Sequence, residues 1–154
     1  MSNVLFSRPS SHAIRALTYL AMQPLGKLSG TREIAEHEHI PRPFIPKVLL
    51  PLRRARLVLS FRGIRGGYEL AVPPEQINLL AIMRCIDGAP LNDCVLEDHP
   101  CSSPQECAVH PCWSIVRELL LSYLERTTLA DLVRFRQSKP GEGLSRSQSA
   151  FARN

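Results

Sequence analysis

Four of the five cysteines in this 154-residue chain fall within 19 residues, at Cys94, Cys101, Cys107 and Cys112, and His110 lies among them. The odd count, and a start (MSNVLFSRPSSH) without a basic-then-apolar secretory pattern, argue against an exported disulfide framework and for a cytoplasmic protein. In a reducing compartment such a cluster marks a metal or redox site. The spacing Cys94-x6-Cys101-x5-Cys107 is irregular for zinc, whose structural sites favour close C-x2–4-C pairs. Cys107 and His110 are three residues apart, so a helix start would bring thiolate and imidazole to one side. Three cysteines and a histidine can wrap an iron–sulfur cluster, thiolates being the usual ligands and histidine a known substitute. Such a set points to 2Fe–2S. Cys112 is a rival fourth ligand, and an all-cysteine set would reopen 4Fe–4S. Zinc, or bare redox thiols without a cofactor, stay open on the residues alone. Cys85, on an apolar stretch, reads as a small buried hydrophobe.

A second chemistry lies upstream. Between residues 42 and 68 there are seven cations (Arg42, Lys47, Arg53, Arg54, Arg56, Arg62, Arg65) and no anion. Between 85 and 111 the reverse holds, with Asp87, Asp93, Glu97, Asp98 and Glu106 and no Lys or Arg. Such segregation suggests a polyanion-binding module joined to something different. Apolar residues at 44% and charged ones at 21% allow one ordinary core and exclude global disorder. No apolar run approaches the roughly 18–20 residues of a membrane span. No zinc-hydrolase, nucleophile-elbow, phosphate-loop or dinucleotide motif is present, so the sequence does not read as an enzyme.

The elements that must position these groups follow from periodicity. Residues 12–22 read as an amphipathic helix ending before Pro24, and a second helix begins near Ser29–Thr31. A third covers about 42–55, where Pro46 and Pro51 predict a kink or a late start. The period then changes to two short strands, 57–61 and 68–71, around the glycine-rich turn 62–67, which is a β-hairpin. A helix over 77–86 follows, then an aperiodic loop over 89–111. A long helix over 112–126 places Trp113, Val116, Leu120, Tyr123 and Leu124 on one stripe. Thr128-x-x-Asp131 reads as a capping box opening a short last helix. The Gly-, Ser-, Arg- and Gln-rich tail from 138 to 154 reads as disordered.

Helix, turn, helix and basic hairpin make a winged helix-turn-helix, a mainly α fold with one small β-hairpin. Its second helix offers its N-terminal end to the major groove, and the wing reaches along the backbone or into a neighbouring groove. The candidate contacts are Arg42 and Lys47 at the helix start, Arg53 and Arg54 at its end, Ser60 leading into the wing, and Arg62 and Arg65 on it. Arg53 and Arg54 are expected at phosphates, which take most protein–DNA contacts.

The stretch LVLSFRGIRGGYEL, residues 57–70, resembles the wing of the IscR/NsrR family of bacterial transcription regulators (the Rrf-two family), whose pattern is LVxSxRGxxGGYxL. The similarity extends to HAIRALTYLA near the start, REIAEHEHIP in the first helix of the motif and TTLADL at 127–132, about residues 6–135 in all. The resemblance implies a transcription regulator with residues 1–88 as DNA-binding domain, 89–111 as cluster loop and 112–137 as dimerisation helix plus short C-terminal helix. It further implies a ligand set of Cys94, Cys101, Cys107 and His110, with Trp113 following. The partners implied are a second copy of the chain, through Trp113, Val116, Leu120 and Tyr123, and a palindromic operator in double-stranded DNA. Departures exist: the first cysteine gap is one residue longer, Cys112 is extra, His39 stands where glycine is usual, and Pro46 replaces a polar or acidic residue. In some members the fourth ligand comes from the partner's N-terminal helix; the matching Ser10-Ser11-His12 holds no carboxylate, which leaves His12 as a minor candidate.

Overall fold

The computed structural model describes residues 5–92 and 108–138. The elements run α1 (Arg8–Ala21), α2 (Thr31–Glu38), α3 (Phe44–Arg54), β1 (Val58–Phe61), β2 (Gly67–Leu70), a 3-10 turn at Pro74–Gln76, α4 (Leu79–Asp87), α5 (His110–Arg126) and α6 (Leu129–Ser138). Helix α1 is the central element, packed against α2, α3, α4, α6 and β2. Its small residues Ala13 and Ala16 are fully buried and let the neighbours approach, while Leu17 and Leu20 fill the space between them.

Helix α1 begins four residues before the periodicity predicted. Ser7 caps it by accepting from the Ser10 N–H at 3.0 Å, and Pro9 fits the first turn, where no N–H is needed. Ser10, in this first turn, is buried because it has a distant partner. The Ser7 and Ser10 hydroxyls donate to the Asp87 carboxylate, at 2.7 and 2.6 Å, tying the start of α1 to the end of α4.

Between α2 and α3 the chain turns at His39, with φ 50° and ψ 43°. This is the left-handed region that glycine occupies most easily, and His39 occupies it here. Ala35, Ile40 and Ile45 are buried between the two helices, as the motif requires. Helix α3 starts late, at Phe44, which puts Pro46 in the first turn. Pro51 lies inside the helix, which continues through it to Arg54.

The hairpin pairs Val58 with Leu70 and Phe61 with Gly67, antiparallel. A third segment joins it: Tyr68 and Ser29 exchange backbone hydrogen bonds at 2.9 and 3.0 Å, anchoring the wing to the residues before α2. Gly67 is needed there, since a Cβ would lie 2.8 Å from the Ser29 carbonyl oxygen.

Ile77 and Asn78, expected as helix, are extended instead. The Leu79 N–H donates to the Thr127 carbonyl, and the Leu129 N–H to that of Ile77, each at 2.9 Å. Through this bridge Leu124 and Leu129 join the core beside α1 and α4, both with no exposed surface. Helix α5 also begins earlier than expected, at His110, with Pro111 in its first turn. The capping box forms as read: the Thr128 N–H and hydroxyl donate to Asp131 at 2.8 Å, and the Asp131 N–H returns to Thr128 at 3.3 Å. Arg134 also pairs with Asp131. Among the described residues no helix is long and apolar enough to cross a membrane. Most of the expected loop, 93–107, and the tail beyond 138 lie outside the described residues.

Candidate nucleic-acid interface

Burial on α3 divides the helix lengthwise. Ile45, Val48, Leu49 and Leu52 face the core; Pro43 before it, then Pro46, Lys47, Leu50, Arg53 and Arg54 face solvent. Arg42, in the turn, is exposed as well. The Lys47 ammonium sits 5.6 Å from the centre of the Phe44 ring, a cation–π contact at the leading end of the helix. At the trailing end Arg53 donates to the Ser60 hydroxyl at 3.1 Å, which links helix to wing and holds the guanidinium at their junction.

On the wing, Arg62 and Arg65 are exposed on either side of a turn in which Gly63 adopts φ 108°. A side chain at Gly63 would be strained in that conformation. Ile64, at the tip, is fully exposed.

Charge marks this face as well. Several cations elsewhere are paired: Lys27 with Glu33, Arg32 with Glu36, Arg15 and Arg136 with Glu38, and Arg134 with Asp131. Among the described residues, Arg42, Lys47, Arg54, Arg56, Arg62 and Arg65 have no carboxylate partner. Unpaired cations clustered around one helix end and one hairpin form an electrostatic footprint for a polyanion.

One feature near the turn between α2 and α3 escaped the sequence reading. Glu38, at the end of α2, is buried; it accepts from both Arg136 guanidinium nitrogens at 2.6 and 3.0 Å, with Arg15 at 3.5 Å. This forked pair fastens α6 to the helix before the turn. His12, the minor ligand candidate, is half-buried on α1, and its ring meets Phe44 edge-on at 5.6 Å. Burial first, then the charges of Arg15 and Arg8, push its pKa down, favouring the neutral ring. Its buried Nδ1 has no hydrogen-bond partner among the described residues. The Glu38–Arg136 pair could not be found by local pattern, since its members lie 98 residues apart.

Of the proposed ligands, Cys94, Cys101 and Cys107 lie outside the described residues. His110 is the first residue of α5 and half-buried; Cys112, two positions on, is exposed. Two residues along an α-helix turn the side chain by about 200°, so the two point to different sides. Among the described residues no three His, Cys, Asp or Glu side chains are grouped to hold a metal ion. Cys85 is half-buried on α4, and burial pushes its thiol up, consistent with a packing role.

On α5 the predicted stripe divides. Leu124 faces the core completely and Trp113 and Leu120 are half-buried, whereas Val116 and Tyr123 are exposed. The solvent stripe is Ile115, Val116, Leu119 and Tyr123, with Leu119 68% exposed.

The sequence pattern of the Rrf2 family, described as an iron-dependent transcriptional regulator, matches residues 6–134. An HTH-type transcriptional regulator of Mycobacterium tuberculosis is 41% identical over 128 residues, covering 82% of this chain and 79% of that protein. The structure of CymR, described as the global cysteine regulator of B. subtilis, superposes with a TM-score of 0.71 at 28% identity, over 84% of this chain and 96% of that one. IscR of T. potens superposes with a TM-score of 0.68 at 25% identity, over 90% and 93%.

Proposed function

The chain belongs to the Rrf2 family of transcription regulators, and from that membership we propose a homodimeric regulator whose hold on a palindromic operator responds to an iron–sulfur cluster at Cys94, Cys101 and Cys107. The observation that carries the DNA reading is the run of cations without carboxylate partners, from Arg42 and Lys47 through Arg54 to Arg62 and Arg65, on a helix-turn-helix with a wing. Helix α3 enters the major groove, with Arg42 and Lys47 at its leading end. Arg62 and Arg65 follow the duplex from the wing, Arg62 as the base reader. Arg54, and Arg53 steadied by Ser60, take phosphates and set the register.

The palindrome requires two copies. The solvent stripe of α5, centred on Val116, Leu119 and Tyr123 and flanked by Trp113 and Leu120, supports pairing with a second copy, since a helix apolar on two sides needs a partner on each. Residues 1–88 then serve as the DNA-binding part, 89–111 as the sensing loop and 112–137 as the pairing part, working in the cytoplasm.

The donor set fits the cluster: three thiols and one imidazole, the ligand types that hold iron–sulfur centres. His110 is the favoured fourth ligand and Cys112 the alternative, which makes 2Fe–2S the favoured form over 4Fe–4S. The family's iron-dependent description and the likeness to IscR support iron. When bound, the cluster would supply one-electron redox chemistry and a target for oxidants or nitric oxide. The chain's own residues supply the link to DNA. Asp87, close before the loop, grips the start of α1 through Ser7 and Ser10, and α1 packs along α3.

The likeness to CymR favours a second reading, a cofactor-free regulator of the same fold that responds to thiols or a small ligand. Anaerobic purification followed by a visible spectrum and iron and sulfide analysis separates the two. The favoured reading expects a chromophore that is lost in Cys94→Ala, Cys101→Ala and Cys107→Ala, labile in His110→Ala and kept in Cys112→Ala. Loss in Cys112→Ala with retention in His110→Ala makes the ligands four cysteines. One zinc per chain without colour contradicts the iron–sulfur reading, and a colourless, metal-free protein that still binds its operator supports the second.

A further inference from the structure

The leading end of α3 has few hydrogen-bond donors. A helix N-terminus normally presents free N–H groups to a phosphate or base edge. Here Phe44 and Ile45 donate theirs to the carbonyls of Pro41 and Arg42, at 2.9 and 3.3 Å, and Pro46 has none. The side chains continue the theme. Pro43, Pro46, Lys47, Leu50 and Arg54 follow one another at helical spacing along the solvent face, so three of the five positions are hydrocarbon. Leu50 is 39% exposed although the core lies on the other side of the same helix.

An apolar strip without backbone donors, bordered by Arg42, Lys47 and Arg54 and free of acids from 42 to 68, complements one surface in particular. In the major groove, thymine alone presents a methyl group, and apolar side chains read it by contact. We infer that α3 reads its half-site through thymine 5-methyl groups, packed against Pro43, Pro46 and Leu50, with Lys47 as the one hydrogen-bonding reader in the strip. The inference rests on the DNA-binding reading above and adds the base chemistry that the helix selects. Proline serves well here because its ring is rigid and nothing is lost in ordering it. Donor-based discrimination then falls to the wing.

The test uses the full-length protein and DNA altered by single methyl groups. Duplexes are first selected from a randomised library; each thymine of the selected half-site is then replaced in turn by deoxyuridine, and affinities are measured by fluorescence anisotropy. Burial of one methyl corresponds to about a fourfold change in affinity. At one or more thymines per half-site, deoxyuridine is expected to bind about fourfold more weakly, and that ratio is expected to approach one in Pro46→Ala or Leu50→Ala. Deoxyuridine-for-thymine ratios near one at every position, on a duplex the protein binds selectively, overturn the inference while leaving the DNA reading intact. A methyl effect that persists unchanged in Pro43→Ala, Pro46→Ala and Leu50→Ala overturns the residue assignment. Failure to enrich any sequence overturns the DNA-binding reading itself, and the inference with it.

Discussion

Two helices of this chain leave apolar side chains in solvent at the same helical spacing. On α3 the stripe is Pro43, Pro46 and Leu50; on α5 it is Ile115, Val116, Leu119 and Tyr123. Hydrophobicity does not tell them apart. Charge does: Lys47 and Arg54 stand in the α3 stripe, and Arg42, Arg53, Arg62 and Arg65 surround it, all cations, whereas the α5 stripe positions are uncharged and the two ions within their span, Arg117 and Glu118, are of opposite sign. A polyanion with methyl groups in its groove suits the first, and a second apolar helix suits the second. The lesson is that an exposed apolar row gains meaning only from the ions around it.

The comparison is broken most severely at α5. Leu119→Asp puts a charge in the centre of the uncharged stripe without touching the core, so the fold survives while dimers dissociate. Operator affinity should fall by about a hundredfold or more once the half-sites are no longer held together. Sedimentation and DNA titration check this; an unchanged dimer would assign the stripe to some other contact. Next comes the clamp that joins α2 to α6 and α1. Glu38→Ala leaves Arg136 and Arg15 without their anion, and both keep some solvent, so about 3 kcal/mol of stability should be lost, the low end for breaking a buried pair. Urea unfolding measures it.

The cations of the α3 region should divide by role. Arg62→Ala is expected to cost about 1–3 kcal/mol on operator and less on a scrambled duplex, as a base reader would. Arg54→Ala should weaken both duplexes alike and reduce the salt slope by about one. Equal losses on both duplexes for Arg62→Ala would move it to the phosphate class. The smallest effect is expected at the α6 cap. The Thr128 N–H, then its hydroxyl and Arg134, hold the Asp131 carboxyl down to about 2. A depressed pKa stabilises the fold above the ordinary value of 3.8, and that contribution is lost as pH falls through about 2. Melting temperatures of the wild type and Asp131→Asn should therefore differ slightly at pH 5 and converge towards pH 2.

Local signals carried much of this architecture. The wing was legible because Gly63, Gly66 and Gly67 punctuate a short apolar alternation, and the α6 cap because Thr128 and Asp131 sit three apart. Two of the misreadings share a cause: a distant partner. The first helix was read from residue 12, yet it starts at Arg8 with Ser10 buried, because Asp87 meets that hydroxyl from 77 residues away. Ile77 looked helical, and a bridge to Leu129 holds it extended. Leu124 shared a stripe with Tyr123, but a period of 3.6 cannot say which edge of a broad apolar face meets the core. On α3 the prolines predicted a kink or a late start, and the late start is what the helix shows. With the late start at Phe44, Pro46 falls in the first turn, where proline costs nothing.

The central claim is that the cysteine loop and the α3 face form one regulated unit, and one pair of affinities tests it. Anaerobically purified protein is titrated onto a selected duplex as isolated and again after iron and sulfide are stripped by chelation under reducing conditions, with the dimer confirmed in both samples. A regulated unit predicts affinities that differ by about 5–150-fold, the usual span of coupling between two sites. Equal affinities, with the chromophore present in one sample and absent in the other, would contradict it.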